Sequence, residues 1–250
     1  RGRFCILLYP MENQQGLPTV AWSAEPAQLP KPGKGEIHVW KLVLPLPPKG
    51  LSACEELLSD DEVQRMRKFL SEPDRQRFAA GRGSLRRLLG GFLGVPPRDL
   101  VFQLEPGGRP VLADGRLARK SGFNVSHSGD VVLLAFVAGT DVGVDVESLD
   151  REVDADLIVR QAFSFEDQDA VARAPEADRR LEFMTRWTCK EAAVKSTGAV
   201  LGVPLDSVRL DLSMGRETAL IVSRDGSAPR VVALMRFKPL EGYVAAVASP

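Results

Sequence analysis

Leu93-Gly94-Val95-Pro96 returns as Leu201-Gly202-Val203-Pro204, a displacement of 201 minus 93, or 108 residues. A four-residue match is weak alone; the signal is that the same order of elements surrounds both copies. Upstream of the first lie a β-rich segment, Ile37 to Leu44, an acidic turn opening at Ser59, and a long helix opening with Asp74-Arg75. Upstream of the second lie Val142 to Glu147, Ser164 and Asp178-Arg179. Downstream of each come a strand, a Gly-marked turn and an apolar strand, ending in Val131 to Val137 and in Tyr243 to Ala248. This predicts an α+β fold made by pseudo-twofold duplication, each half a helix packed on a small antiparallel sheet. The halves are expected at residues 1–139 and 140–250, packed as one unit with a cleft between them.

Within the first half, eight of the 18 prolines fall in residues 1–50, so irregular chain is expected there apart from Ile37 to Leu44. Ser59-Asp60-Asp61-Glu62 reads as a capping box that starts a helix running through Val63 to Leu70. A second helix is expected from Asp74 to Leu93, with Phe78, Leu85, Leu88, Leu89 and Phe92 as its apolar stripe and Arg82 and Arg86 on one face. Gly94 stops it, and Pro96-Pro97 prevents its continuation. Arg65, Arg67, Lys68, Arg82, Arg86 and Arg87 read by default as solvated helix faces.

Composition narrows the partners. The 250 residues carry 33 Lys+Arg against 33 Asp+Glu, so a polyanion must be met by a local basic cluster, and neither nucleic acid nor membrane is expected as a partner. Cys5, Cys54 and Cys189 make an odd count without CxxC spacing, which disfavours a disulfide framework or a thiolate zinc site and suits a reducing cytoplasm. The apolar runs Phe4 to Tyr9 and Val131 to Gly139 fall short of a membrane span, and no signal peptide is read. With only His38 and His127, histidine-rich metal sites are excluded, and a Ser/His catalytic pair must use one of these two.

Carboxylates and cations concentrate in the second half. In Gly143-Val144-Asp145-Val146-Glu147, strand alternation puts Asp145 and Glu147 on one face and turns Val144 and Val146 to the core. In Trp187 through Lys195, positions 187, 191 and 195 share one helical stripe, so a ring, a carboxylate and an ammonium lie in line. If that stripe faces the strand, Asp145, Glu147 and Glu191 repel one another unless a cation joins them. All-oxygen ligation with room for water and phosphate suits Mg2+, with Mn2+ as its substitute. The plainer readings are a solvated strand face and an ordinary charged helix surface, against which stands Trp187, a large ring that needs burial or a stacking partner. Phe123 through Asp130 reads as a turn whose Ser126, His127, Ser128 and backbone N–H groups suit a phosphate. A serine-rich turn with an incidental histidine stays equally open. A Ser/His nucleophile pair is disfavoured, because no GxSxG occurs.

These motifs, together with Gly108-Arg109-Pro110 and in the order Gly108-Arg109-Pro110, Phe123 to Ser128, Gly143 to Glu147 and Trp187 to Lys195, resemble the surfactin-synthetase type of 4'-phosphopantetheinyl transferase. The resemblance runs from about Ser59 to the C-terminus. It implies two α+β halves with coenzyme A between them. It further implies transfer of the phosphopantetheine arm to a serine of an apo acyl or peptidyl carrier protein, with release of adenosine 3',5'-bisphosphate. By motif, Asp145, Glu147 and Glu191 would hold Mg2+, Lys195 would contact the pyrophosphate, and Arg82, Arg109, Ser126 and His127 would bind the adenine and 3'-phosphate end. Glu191 or Glu166 would be the general base, directly or through a water. The family commonly has Lys where Arg109 stands, and residues before about Ile37 match none of its motifs. A monomer is expected, docking acidic carriers through a basic and apolar surface. A non-catalytic coenzyme A binding module and another Mg2+-dependent phosphoryl or nucleotidyl enzyme are the competing readings.

Overall fold

The computed structural model describes residues 5–9, 23–24, 31–33, 35–106, 108–198, 203–213, 217–222 and 228–250. In chain order come β1 (Cys5–Tyr9), β2 (Ser23–Ala24), β3 (Ile37–Val43), α1 (Pro48–Glu55), α2 (Asp60–Arg67), α3 (Glu72–Leu93), β4 (Phe102–Leu104), β5 (Pro110–Leu112), α4 (Gly115–Ala118), β6 (Ser121–Ser128) and β7 (Val131–Ala138). There follow β8 (Gly143–Ser148), α5 (Ala155–Ala162), α6 (Phe165–Arg173), α7 (Glu176–Ser196), β9 (Val208–Asp211), β10 (Thr218–Ile221), β11 (Arg230–Phe237) and β12 (Tyr243–Ser249). One sheet has the order β2-β1-β3-β7-β6 and the other β8-β12-β11-β10-β9, while β4 and β5 form a separate ribbon. The series β3-β7-β6 and β8-β12-β11 are the counterparts that the duplication predicts. The second copy of the repeated tetrapeptide begins at Leu201-Gly202, outside the described residues.

Strand alternation builds the layers. On β7, Val132, Leu134 and Phe136 face one way with Trp40 and Leu42 of β3, and Leu85, Leu88, Leu89 and Phe92 of α3 pack on them. Each such side chain, fully buried, contributes about 1.5–3 kcal/mol. The alternate residues Val131, Leu133, Ala135 and Val137, with Ile37 and Val39, meet Val144 and Val146 of β8 and Ala245 and Val247 of β12. On the far side Ala246 and Ala248 of β12 lie under Cys189, Ala192 and Ala193 of α7. The order through the molecule is therefore helix, sheet, sheet, helix. Among the described residues no helix is long and apolar enough to cross a membrane.

Three expectations are corrected. The N-terminal region is not wholly irregular, because β1 pairs antiparallel with β3, from Cys5 opposite Lys41 to Tyr9 opposite Ile37. Phe123 to Ser128 is strand rather than turn; the reversal is confined to Gly129-Asp130, where β6 passes into β7. Arg86 is not solvated but 1% exposed. It donates to Glu62 Oε2 at 2.6 Å, to the carbonyls of Pro97 and Leu100 at 2.9 Å and to Ser59 Oγ at 3.0 Å, tying α2 to α3. The helix boundaries otherwise move little: Ser59 and Glu62 form the capping box, and α3 starts two residues before the expected Asp74. Gly94 ends α3 at φ 69°, a left-handed position that any side chain would strain.

Candidate functional site

All six residues of β8 are buried, yet two of them are acids. Val144 and Val146 face the sheet-to-sheet core, so Asp145 and Glu147 point to the other face, toward α7. On α7 the stripe of Trp187, Glu191 and Lys195 comes to them. Lys195 Nζ donates to Asp145 Oδ1 at 2.6 Å, and Trp187 Nε1 donates to Glu147 Oε1 at 3.2 Å. The close approach is possible because Gly143 lies directly against the α7 backbone at Ala192 and Ser196.

The edge of β6 completes this arrangement. Ser126 Oγ donates to Asp145 Oδ1 at 2.8 Å, Ser128 Oγ donates to Glu147 Oε2 at 2.9 Å, and Asn124 Oδ1 accepts from the Val144 N–H at 3.1 Å. From the loop after β8, the Arg151 guanidinium donates to Glu147 Oε1. Burial pushes the Asp145 carboxyl above its ordinary value, against the pull of Lys195. Glu191 is also held above its ordinary value, first by burial and then by the charges of Asp145 and Glu147, with Lys195 opposing. Burial works against the Lys195 ammonium, but Asp145, Glu191 and Glu147 together keep its pKa above that of an ordinary lysine.

Among the described residues no group of three or more His, Cys, Asp and Glu side chains is arranged to hold an ion, and Lys195 and Arg151 each occupy a carboxylate oxygen of this cluster. One oxygen is left over. Asp145 Oδ2 is buried without a hydrogen-bond partner. An orphaned buried carboxylate oxygen is costly. Together with the all-oxygen donor set of Asp145, Glu147 and Glu191, it fits a hard divalent cation.

Beside this cluster, between α3 and β6, lies a cavity of about 250 Å³. Its wall includes Arg65, Arg77, Arg82, Phe69, Phe78 and His127. Arg82 donates to Glu62 Oε1 at 3.1 Å and lies over the rings of Phe78 and Phe102. Desolvation, aided by the charges of Arg77 and Lys195, holds His127 below its ordinary value, so the imidazole there is neutral.

The residues expected around a nucleotide end therefore separate into two sets. Arg82 and His127 line the cavity, whereas Ser126 points from the opposite face of β6 to Asp145. Arg109 turns to Asp141, 3.9 Å away, and lies 3.7 Å from the position of a Cβ at Gly198. Glu166 sits on the exposed first turn of α6, where its own backbone N–H and Ser164 lower its pKa and its charged neighbours are Arg209 and Asp167. It is absent from the charges that act most strongly on Asp145 and Glu191. Sequence reasoning missed Arg151, whose signal was its place four residues after Glu147, and Phe69, Phe78 and Arg77, which only the tertiary fold brings to the cavity.

Two family models match in tandem. The model described as "4'-phosphopantetheinyl transferase, N-terminal" matches residues 46–138, and that of the "4'-phosphopantetheinyl transferase superfamily" matches residues 141–248. The chain is 35% identical over 175 residues to the 4'-phosphopantetheinyl transferase HetI of Nostoc sp., covering 68% of this chain and 74% of that one. It is 30% identical over 191 residues to the 4'-phosphopantetheinyl transferase psf-1 of Bacillus pumilus, covering 76% and 79% respectively. The crystal structure of Thermotoga maritima holo-[acyl-carrier-protein] synthase aligns with 43% of this chain and 60% of its own at 19% identity, with a TM-score of 0.35.

Proposed function

Because this chain belongs to the 4'-phosphopantetheinyl transferase superfamily, we propose that it moves the phosphopantetheine arm of coenzyme A to a serine of an apo acyl or peptidyl carrier protein, as a transferase of the surfactin-synthetase type. The two family matches lie one after the other on a single chain, which supports that type: both halves of the site come from one polypeptide. We take the halves as residues 1–139 and 140–250, and the working unit as a cytoplasmic monomer.

The observation that carries the reading is the meeting of Asp145, Glu147, Glu191 and Lys195, of which Lys195 and Glu147 act by charge on His127 in the wall of a separate arginine- and phenylalanine-lined cavity. Arg82, His127 and the cavity's other arginines suit the adenine and 3'-phosphate end, and Phe69 and Phe78 add aromatic surface to the same wall. Asp145, Glu147 and Glu191 would hold Mg2+, which when bound supplies positive charge where the leaving diphosphate oxygen becomes anionic. Lys195 adds a fixed cation at the same place. Ser126 acts by orienting Asp145, and Arg109 by tying the junction of the halves.

In the transfer, the carrier serine oxygen forms a bond to the phosphorus that bears the pantetheine. The bridging bond to the second phosphate breaks, and adenosine 3',5'-bisphosphate leaves. The serine proton goes to Glu191, whose carboxyl is held above its ordinary value by burial and by the charges of Asp145 and Glu147, which makes it a stronger base than a solvent-exposed glutamate. Glu166, facing Arg209, is the weaker candidate.

The test mixes purified protein, coenzyme A, Mg2+ and an apo carrier protein. The expected result is a carrier mass gain of one phosphopantetheine that EDTA abolishes. Absence of that gain with several carriers overturns the reading. Release of product without a carrier would favour another phosphoryl or nucleotidyl enzyme, and coenzyme A binding without turnover a binding module.

A further inference from the structure

The acids of β8 are not equally open to an incoming ion. Asp145 has one oxygen without a partner, Oδ2. Glu147 has none, since Oε2 accepts from Ser128 and Oε1 from both Trp187 and Arg151. An ion that uses Glu147 must displace one of these three donors. Ser128 is buried in the seam between β6 and β8, and Trp187 packs on Phe183. Arg151 is the most open of the three donors to Glu147: its side chain is 49% exposed, against 6% for Glu147. It is also the one donor that an arriving dication repels. Lys195 stands in the same relation to Asp145, with a side chain 29% exposed.

Resting on the transferase reading, we propose that Arg151 and Lys195 are a cation lock on Glu147 and Asp145, and that Arg151 passes from Glu147 to the phosphates of coenzyme A as the divalent ion enters. The charge count gives the reason. Three carboxylates face two cations, so the closed site holds one net negative charge. A dication entering alone crowds two cations that have nowhere to go. A diphosphate, with about two negative charges, gives both a new partner of the kind that guanidinium binds best. Ion and coenzyme A must then raise each other's affinity by the same factor.

The experiment is a calorimetric titration of Mn2+ alone into the full chain and into Arg151→Gln, each repeated with saturating coenzyme A. Without coenzyme A, Arg151→Gln is expected to bind Mn2+ about tenfold more tightly than the unaltered protein, and coenzyme A is expected to tighten Mn2+ by a smaller factor in the variant. Arg151→Lys keeps the charge and should stay near the unaltered affinity, while thermal melts establish that both variants are folded. Equal Mn2+ affinity in the unaltered chain and Arg151→Gln, or a Lys variant as tight as the Gln variant, overturns the lock and leaves the metal centre standing. Failure of Mn2+ to bind any of the proteins, with or without coenzyme A, removes the metal centre and the lock together.

Discussion

Gly143→Ala is the sharpest single test of how the site is assembled. Gly143 needs no unusual backbone angle, since it is not among the glycines of positive φ; its need is for space. A Cβ there would lie 2.0 Å from the Ala192 carbonyl oxygen and 2.5 Å from the Ser196 backbone nitrogen, whereas ordinary contact begins at 3.4 Å. The shortfall is about 1.4 Å, and both obstacles are backbone of α7, with no side chain to swing aside. Strand and helix must therefore separate by roughly that distance. Glu191 and Lys195 sit next to Ala192 and Ser196 and move with them. The 2.6 Å contact from Lys195 to Asp145 then opens toward about 4 Å, beyond hydrogen-bond range. A displacement of about 1 Å at a reacting centre can lower rate a hundredfold, equivalent to about 2.7 kcal/mol of barrier. Overpacking should cost roughly 1–3 kcal/mol of stability, or a Tm lower by about 2–12 °C for a chain of this size, leaving a folded protein at 25 °C. The assay is the initial rate of carrier modification over a range of coenzyme A concentrations, run beside a thermal melt. A variant whose rate stays within about threefold of the unaltered enzyme would refute the claim that this contact sets the site.

The other tests address separate parts of the fold. Arg86→Ala strips four hydrogen bonds from a buried network and leaves Glu62 with Arg82 as its ion-pair partner and the Ser59 N–H as its cap contact, so chemical denaturation should register a loss of about 3–5 kcal/mol; a loss under about 1 kcal/mol would mean that the α2–α3 tie is dispensable. Lys190, with a side chain 0% exposed, bonds to Asp167 at 2.6 Å and to the Leu205 carbonyl at 3.0 Å. Lys190→Met should cost about 3 kcal/mol, softened because Arg186 still holds Asp167 at 2.6 Å, and adding Asp167→Leu should cost less than the two single losses combined. His127 has its folded pKa depressed, so the unfolded chain takes up a proton that the folded chain refuses. Its contribution to stability is full above the ordinary value near 6.5 and is lost as pH falls through the folded value. Denaturant melts of His127→Asn should therefore vary less than those of the unaltered protein between about pH 7 and pH 5, and an identical pH dependence would contradict the assignment.

What could be read in the sequence is what depends on local period. Val144 and Val146 against Asp145 and Glu147 follow from the two-residue alternation of a strand. Trp187, Glu191 and Lys195 fall in line because helical neighbours recur every four residues, and the structure places both sets on facing surfaces. The rest depends on partners distant in sequence. Arg86 looks like any helix arginine until Glu62, 24 residues earlier, and the Pro97 and Leu100 carbonyls surround it. Ser126 sits in a motif that suggests a phosphate turn, but its segment pairs with β7 throughout its length and its hydroxyl meets a carboxylate 19 residues away. Strand β1 was concealed by the prolines around it, because an apolar run of five residues is set as strand only by the neighbouring edge of β3.

The two halves also show how one scaffold yields unequal surfaces. Strands β3 and β8 hold equivalent places, each paired antiparallel with the last long strand of its half. The face of β3 that turns to α3 carries Trp40 and Leu42, and it packs shut. The corresponding face of β8 carries Asp145 and Glu147, and its neighbour across the strand pair at Asp145 is only Ala246. Alanines 192 and 193 of α7 add little bulk to the same layer. Large apolar residues close the first helix-sheet interface, whereas small ones let α7 come near β8 while leaving room for polar groups beside it. Burial of two carboxylates is tolerable there only because Ser126, Ser128, Trp187, Lys195 and Arg151 all aim donors at them. Ser126 and Ser128 lie on β6, Arg151 follows β8, and Trp187 and Lys195 lie on α7, so donors from the edge of one sheet and from the helix on the other converge on the same two acids.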